Sequence, residues 1–385
     1  MANSIVRLSL SEIAATAALG VNLTNADVVA KYVAGPNQLV SGDLDSISVG
    51  GVCVDKSENL YISDSERHTI LKVTEGGSVS IIAGTDGTSG RNGTLTNVST
   101  GALFNTPRGL ACDNSGNIYV ADSGNNQIRV INSNGRVSHV AGAGDGSSGF
   151  VDGDGATARF NNPLDVAVDN SGNVWVADTG NNSIRRVQHG EVYTFSGDSA
   201  GDSEDVSSAA NAAGANDIFT SPFALAVDAR GDIFVCDTGN DKIKVIKPDG
   251  WVYLFSGSGV SGKSKGTTAF NGEFTELVQC TIDNSGNIYV LDKNVASGSR
   301  VIKFERTGIQ EIVNDWAGAT NYNDDVAGIA VSPAGKLFVT VSDAGTVESS
   351  SSSQSDSSDS SQSDSSQSDS SQSDSSDSES SSSQP

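Results

Sequence analysis

The feature that most constrains this chain is a repeat. Five segments align on one pattern: GVCVDKSENLYISDSERHTILKV, GLACDNSGNIYVADSGNNQIRVI, DVAVDNSGNVWVADTGNNSIRRV, ALAVDARGDIFVCDTGNDKIKVI and CTIDNSGNIYVLDKNVASGSRVIKF. A shorter one, GIAVSPAGKLFVTVSDAG, closes the series. The first Asp of each unit is Asp55, Asp113, Asp169, Asp228 and Asp283, with Ser332 in the sixth place, at spacings of 58, 56, 59, 55 and 49 residues. Self-similarity at such a period marks an array of supersecondary units, each of which buries its faces only against its neighbours.

Each unit holds four strand signals. A short apolar run ends at the first Asp, and an Asn-Ser-Gly-Asn-type turn leads into an alternating run such as NIYVAD. An Asp-Ser/Thr-Gly-Asn turn then leads to IRVI-like residues, and a third turn leads to a run such as VSHVAG. Alternating runs separated by Gly/Asn turns read as antiparallel strands. Four of them per repeat describe a propeller blade. The expected fold is all-β, a six-bladed β-propeller over residues 28–345. The segment VVAKYVAG, Val28 to Gly35, resembles a fourth strand with no first three before it, and the sixth unit lacks its own fourth strand. Val28–Gly35 is therefore expected to close the ring from the N-terminal side.

These motifs resemble the NHL-repeat family. The match is strongest in the second and third units, above all in ARFNNPLDVAVDNSGNVWVADTGNNSIRRV, Ala158 to Val187. The family's Asn-His-Leu signature is degenerate here: Arg67-His68-Thr69-Ile70 in the first unit, Asn-Asn or Asn-Asp in the next three. The resemblance implies a propeller. It also implies binding or scaffolding roles, since chains of this kind with Ser-rich tails occur among bacteriophage structural proteins.

Charge excludes one partner class. The chain has 23 Lys+Arg against 47 Asp+Glu, a net −24. Eight of the acids lie beyond Thr346, where there is no base, so 39 remain against 23 and the body alone is −16. A surface this acidic repels phosphate backbones, and no nucleic-acid partner is expected. Nor is membrane insertion, since no run approaches the roughly 18 apolar residues a span needs. Residues 346–385 repeat Ser-Ser-Gln-Ser-Asp with no aliphatic or aromatic residue after Val347, and read as a disordered acidic tail. Residues 1–27 read as an N-terminal arm with a strand-like alternation over Ser4–Leu10, either packed on the ring or used for docking. They carry no basic start followed by an apolar core, so no secretory signal is read. Cys53, Cys112, Cys236 and Cys280 are far apart, each in a strand-like run, and are expected to pack as small buried hydrophobes rather than to bridge.

Candidate chemistry gathers on the face that receives the loops between blades and between second and third strands. Its acids are Asp145, Asp152, Asp154, Asp198, Asp202, Glu204, Asp205 and Asp217. They are read as an acidic binding face for a protein partner with a basic patch. Asp64, Asp122, Asp178, Asp237 and Asp292 end the second strand of their units. Because they recur, they are read as turn residues that accept amide hydrogen bonds rather than as catalysts. No cofactor is expected. The VDGDGAT loop at Val151–Thr157 has two carboxylates two residues apart, but an EF-hand frame from Asp152 would place Pro163 where a bidentate Glu is required, so calcium is a weak alternative. His68, His139 and His189 occupy unlike positions in their units and form no three-His pattern. The expected function is a non-enzymatic interaction or structural module, displayed on a virion if the resemblance extends that far. The alternative is a metal-dependent lyase or lactonase-like propeller enzyme.

Overall fold

The computed structural model describes residues 3–9, 47–74, 78–91, 101–202, 206–207, 217–262, 272–293, 299–305, 310–315, 325–332 and 336–342. Five consecutive sheets are built on four-stranded antiparallel meanders, here called blades 1 to 5, and in blades 3 and 4 a two-residue fifth strand, Gly153–Asp154 or Val206–Ser207, adds to the outer edge. Blade 1 comprises Val49–Val54, Leu60–Asp64, Thr69–Val73 and Val79–Gly84. Blade 2 follows with Pro107–Cys112, Ile118–Asp122, Gln127–Ile131 and Val137–Ala141. Blade 3 has Asp165–Val168, Val174–Asp178, Ser183–Gln188 and Glu191–Ser196. Blade 4 is built from Pro222–Val227, Ile233–Asp237, Lys242–Ile246 and Trp251–Ser256. Leu277–Ile282, Ile288–Asp292, Arg300–Phe304 and Gln310–Asp315 make blade 5.

The count of six blades is corrected to five. The sixth repeat contributes two strands, Asp325–Val331 and Lys336–Ser342, to a three-stranded sheet whose third member is Asn3–Ser9. That N-terminal strand pairs antiparallel with the last one in the register Ile5↔Thr340 and Arg7↔Phe338. The physical reason lies in the sequence after Ser342, where no alternating apolar run remains to supply a third strand. An N-terminal segment covers that edge instead. The segment is Asn3–Ser9; Val28–Gly35, the expected closing strand, lies outside the described residues, as does the tail 346–385. The sheet joins the ring through side chains of both neighbours: Gln279 of blade 5 accepts the Ile329 amide at 2.8 Å, and Ala330 and Phe338 share a core with Val52, Ile62 and Leu71 of blade 1. Removing residues 1–9 should therefore lower the melting temperature by several degrees, and an unchanged melt would show that this strand adds nothing to closure.

The repeat's first Asp shapes the turn between first and second strands. Asp113 Oδ1 accepts the amides of Ser115 and Asn117, both at 2.8 Å, and Oδ2 accepts Asn117 Nδ2 at 2.7 Å. Asp55, Asp169 and Asp283 do the same, and Asp228 accepts the Arg230 and Asp232 amides. This turn needs one left-handed residue, supplied by Gly116 at φ 80° and Gly172 at φ 81°, and by Glu58 at φ 59° in blade 1. The core sits in the seams between blades. Between blades 4 and 5, for example, Phe234, Phe255, Phe274 and Phe304 pack edge to face. Fully burying such rings contributes roughly 1.5–3 kcal/mol each.

Two cysteines depart from expectation. Cys53 and Cys112 form a disulfide between the first strands of blades 1 and 2, with Cα atoms 5.9 Å apart. Their distance in sequence, 59 residues, concealed what packing of two first strands across a seam brings together. Cys236 and Cys280 are free and buried.

Candidate functional site

Asp122, Asp178, Asp237 and Asp292 are fully buried. In each, Oδ1 accepts the backbone amide of the segment entering the blade: Asn105, Asn161, Thr220 or Thr275, at 2.7 to 2.8 Å. Oδ2 faces a cation from the third strand: Arg129 at 3.5 Å, Arg185 at 2.7 Å, Lys244 at 2.9 Å and Arg300 at 2.8 Å. A ring from the entering segment lies against three of these cations, Phe104 on Arg129, Phe160 on Arg185 and Phe219 on Lys244. Burial pushes the carboxyls of Asp122 and Asp178 up to about 6, against the pull of the amides and cations. Removing a cation from such a pair strands a buried charge, the costly case for ion pairs.

Blade 1 breaks the pattern. Asp64 Oδ1 accepts the amides of Ser48, Glu66 and Arg67, but Leu71 stands where blades 2 to 4 place a cation. Asp64 Oδ2 is buried without a hydrogen-bond partner among the described residues, and burial raises its carboxyl above the ordinary range.

The acids expected to form a free binding face divide into several kinds. Asp152 bonds Arg185 at 2.5 Å and accepts the Thr194 amide at 2.9 Å. Asp202 bonds Lys242 at 2.6 Å and Lys244 at 2.9 Å; despite burial, those two ammonium groups hold its carboxyl below the usual range. Both acids thus complete the interior wiring of blades 3 and 4. Asp145 accepts the Ser147 hydroxyl and amide, and those bonds lower its carboxyl. Asp154 accepts the Ala156 amide within the two-residue strand Gly153–Asp154, which covers the outer edge of blade 3. Asp198 accepts the Ser199 hydroxyl, and Asp217 lies in the strand Asp217–Phe219, parallel to Ser199–Ala200. Glu204 and Asp205 lie outside the described residues. The same face holds Phe150, Val151 and Val260 exposed at 42%, 44% and 56%.

The first strands and Asp325–Val331 surround an axial cavity of about 160 Å³, whose lining includes Cys53, Cys112, Asp165, Gln279, Cys280 and Thr281. Asp165 is the residue that sequence reasoning missed. Its repeat position, four before the first Asp of each unit, holds Gly51, Gly109, Ala224, Gln279 and Gly328 elsewhere, so the departure was visible in the alignment. Asp165 Oδ2 accepts the Leu225 amide of blade 4, and Oδ1 accepts the Val166 amide, both at 2.9 Å. With no cation beside it among the described residues, burial pushes this carboxyl up to about 7. A side chain at residue 109 would collide with Asp165, so Gly109 leaves the space the carboxylate occupies.

Two further repeat positions tie blade to blade. The hydroxyl after the second-strand Asp donates to a carbonyl of the next unit: Thr179 to Pro222 at 2.7 Å and Thr238 to Leu277 at 2.6 Å. His68, Asn126 and Asn182 all adopt left-handed φ, between 52° and 60°. Each accepts an amide from the entering segment of the next blade, Thr106, Asn162 and Ser221 respectively. His139 is engaged with the Gly142 carbonyl at 2.7 Å. Among the described residues, no three His, Cys, Asp or Glu side chains converge as metal ligands.

A family model described as NHL repeat matches residues 104–131 and 160–187. The chain carries NHL repeats. Each matched NHL repeat runs from the entering Phe through the third strand, the stretch that contains the buried Asp, its cation and the seam acceptor. Protein SUPPRESSOR OF QUENCHING 1, chloroplastic, of Arabidopsis thaliana is 37% identical over 134 residues, 33% of this chain and 12% of that protein. NHL repeat-containing protein 2 of Homo sapiens is 27% identical over 271 residues, 63% of this chain and 36% of that protein. The chain thus spans about a third or less of either relative. Among solved structures, a nidogen/laminin complex superposes with TM-score 0.50 at 15% identity, covering 75% of this chain and 86% of that one. A gluconolactonase from Xanthomonas campestris gives 0.49 at 15% identity, covering 77% and 87%. At such identity the likeness is one of fold.

Proposed function

We propose that this NHL-repeat propeller is a non-enzymatic binding module whose loop face takes a protein partner. The observation that carries the reading is the exposure of Phe150, Val151 and Val260 on that face, beside exposed Asp145, Asp154 and Asp198. Phe150 rests on the buried Arg185 guanidinium at 4.8 Å, so its ring is held in place before any partner arrives. Exposed apolar side chains and acids on these loops fit a partner that offers apolar side chains among Lys and Arg. The second-strand carboxylates of blades 2 to 5 support the same reading, since their oxygens are spent on backbone amides and buried cations. Display on a virion rests on the resemblance alone and has no counterpart among the relatives named above.

One observation favours a second reading, a metal-dependent lyase or lactonase-like enzyme: Asp165, a buried carboxyl on the propeller axis. The two readings separate in one set of measurements. A photoreactive residue at position 260 should cross-link the protein to a discrete partner in its native source, and Phe150→Asp should abolish that product. Turnover of a lactone or ester panel that disappears in Asp165→Asn, together with stoichiometric tightly held metal, would overturn the binding-module reading.

A further inference from the structure

We propose that the disulfide on the propeller axis is a thiol-exchange site, at which a small-molecule thiol opens and recloses the seam between blades 1 and 2. Cys53 and Cys112 belong to the first strands of those neighbouring blades, and both line the axial cavity. Cys112 is half-buried whereas Cys53 is 8% exposed, and the proposed exchange begins at Cys112, the more exposed residue of the pair. The chain's own Cys280 also lines the cavity, but its thiol is hydrogen-bonded to Cys236 and buried, which hold it protonated at neutral pH. The attacking thiolate therefore comes from solution. A space of about 160 Å³ walled by the ring of first strands admits a compact thiol and excludes a folded oxidoreductase.

The exchange balances in two steps. A small thiolate attacks Cys112 Sγ; the bond to Cys53 breaks, its electron pair leaves on Cys53 Sγ, and that sulfur takes a proton from water. A second thiolate attacks the small-molecule sulfur of the mixed disulfide; the small disulfide departs, and Cys112 Sγ is protonated. Two small thiols are oxidised to one disulfide, and the protein disulfide is reduced to two thiols. A small-molecule disulfide drives the same steps backward. Reduction removes the one covalent link among the described residues, from a blade that sits between blade 2 and the three-stranded closing sheet.

The test uses the full chain purified without reductant. After native incubation with 2-mercaptoethanol, iodoacetamide should label Cys53 and Cys112 and spare Cys236 and Cys280, as read by peptide mass mapping. The same incubation should lower the melting temperature by several degrees, and 2-hydroxyethyl disulfide should restore it. In the double variant Cys53→Ser, Cys112→Ser, the melt should no longer respond to either reagent. Labelling of Cys53 and Cys112 only after unfolding in denaturant would overturn the proposal, as would their labelling before any thiol is added. Equal reduction by a folded protein reductase would overturn the restriction to small thiols.

Discussion

Lowering the pH from 8 to 5 should stabilise the propeller, raising its melting temperature by about 5 °C or more. The sign follows from Asp165. Its carboxyl has a folded-state pKa of about 7, raised from 3.8 by burial among first strands that bring no cation to it. The folded chain therefore binds a proton that the unfolded chain releases between roughly pH 4 and pH 7, and stability falls as pH rises across that window. Integrated over the whole window the effect is on the order of 4 kcal/mol, with roughly 3 kcal/mol of it between pH 5 and pH 7. Each kcal/mol moves the melt of a large domain by roughly 2–4 °C. Asp122 and Asp178, raised to about 6, act in the same direction. Asp145 and Asp202 act oppositely, but their carboxyls lie below the ordinary value, so their contribution is lost only in stronger acid. Asp165→Asn should flatten the slope, at a cost of about 1 kcal/mol for one lost amide acceptor. Melting curves at half-unit pH steps decide the matter; a melt that falls on acidification, or an Asn variant with the parental slope, defeats the assignment.

Arg185→Ala should be the most damaging single substitution on the third strands, costing about 3–5 kcal/mol and about 10 °C in melting temperature. Arg185 is fully buried between Phe150 and Phe160 at 4.8 and 5.3 Å, and it bonds Asp178 on one side and Asp152 on the other. Truncation leaves the buried Asp178 carboxyl with only the Asn161 amide and the Asn181 side chain as partners. Arg185→Lys should lose less than half as much, because blade 4 already uses Lys244 in the same place, bridging Asp237 and Asp202. Asp152→Asn should cost under about 1 kcal/mol, because that carboxylate is 47% exposed and water replaces much of what it loses. A melt of Arg185→Ala within 2 °C of the parent would show that the interior ion pairs are not what hold the third strands in place.

The two predictions draw on different kinds of information in the chain. Arg129, Arg185 and Lys244 stand at one spacing behind their Asp in consecutive repeats, and Arg300 stands one residue further on. That regularity was open to reading beside the Asp residues themselves, yet a cation in a strand reads as solvent-facing until the neighbouring strand is placed. Leu71 in blade 1 and Asp165 in blade 3 were open to reading in the same way, as exceptions in otherwise regular columns. Reading the second-strand carboxylates alone showed half of each pair. Reading the loop acids alone, as a free face, assigned Asp152 and Asp202 to solvent when each is drawn inward by a cation more than 30 residues away.

The period, the alternation and the turn residues determined the four-stranded unit by themselves, because those signals act within a dozen residues: an Asx turn, a left-handed glycine and a two-residue side-chain repeat need no distant partner. The repeat also required cover for its two end units, by closure or by caps, since each unit buries its faces only against neighbours. How the ring closes was decided in three dimensions. Asn3–Ser9 and Val28–Gly35 are both plausible strands in isolation, and the unfilled edge of Lys336–Ser342 made a place for the first. The same holds for Cys53 with Cys112 and for Asp165 with the Leu225 amide, 60 residues apart. Contacts across a seam depend on the register and tilt of two blades. No residue in either blade encodes that relation alone.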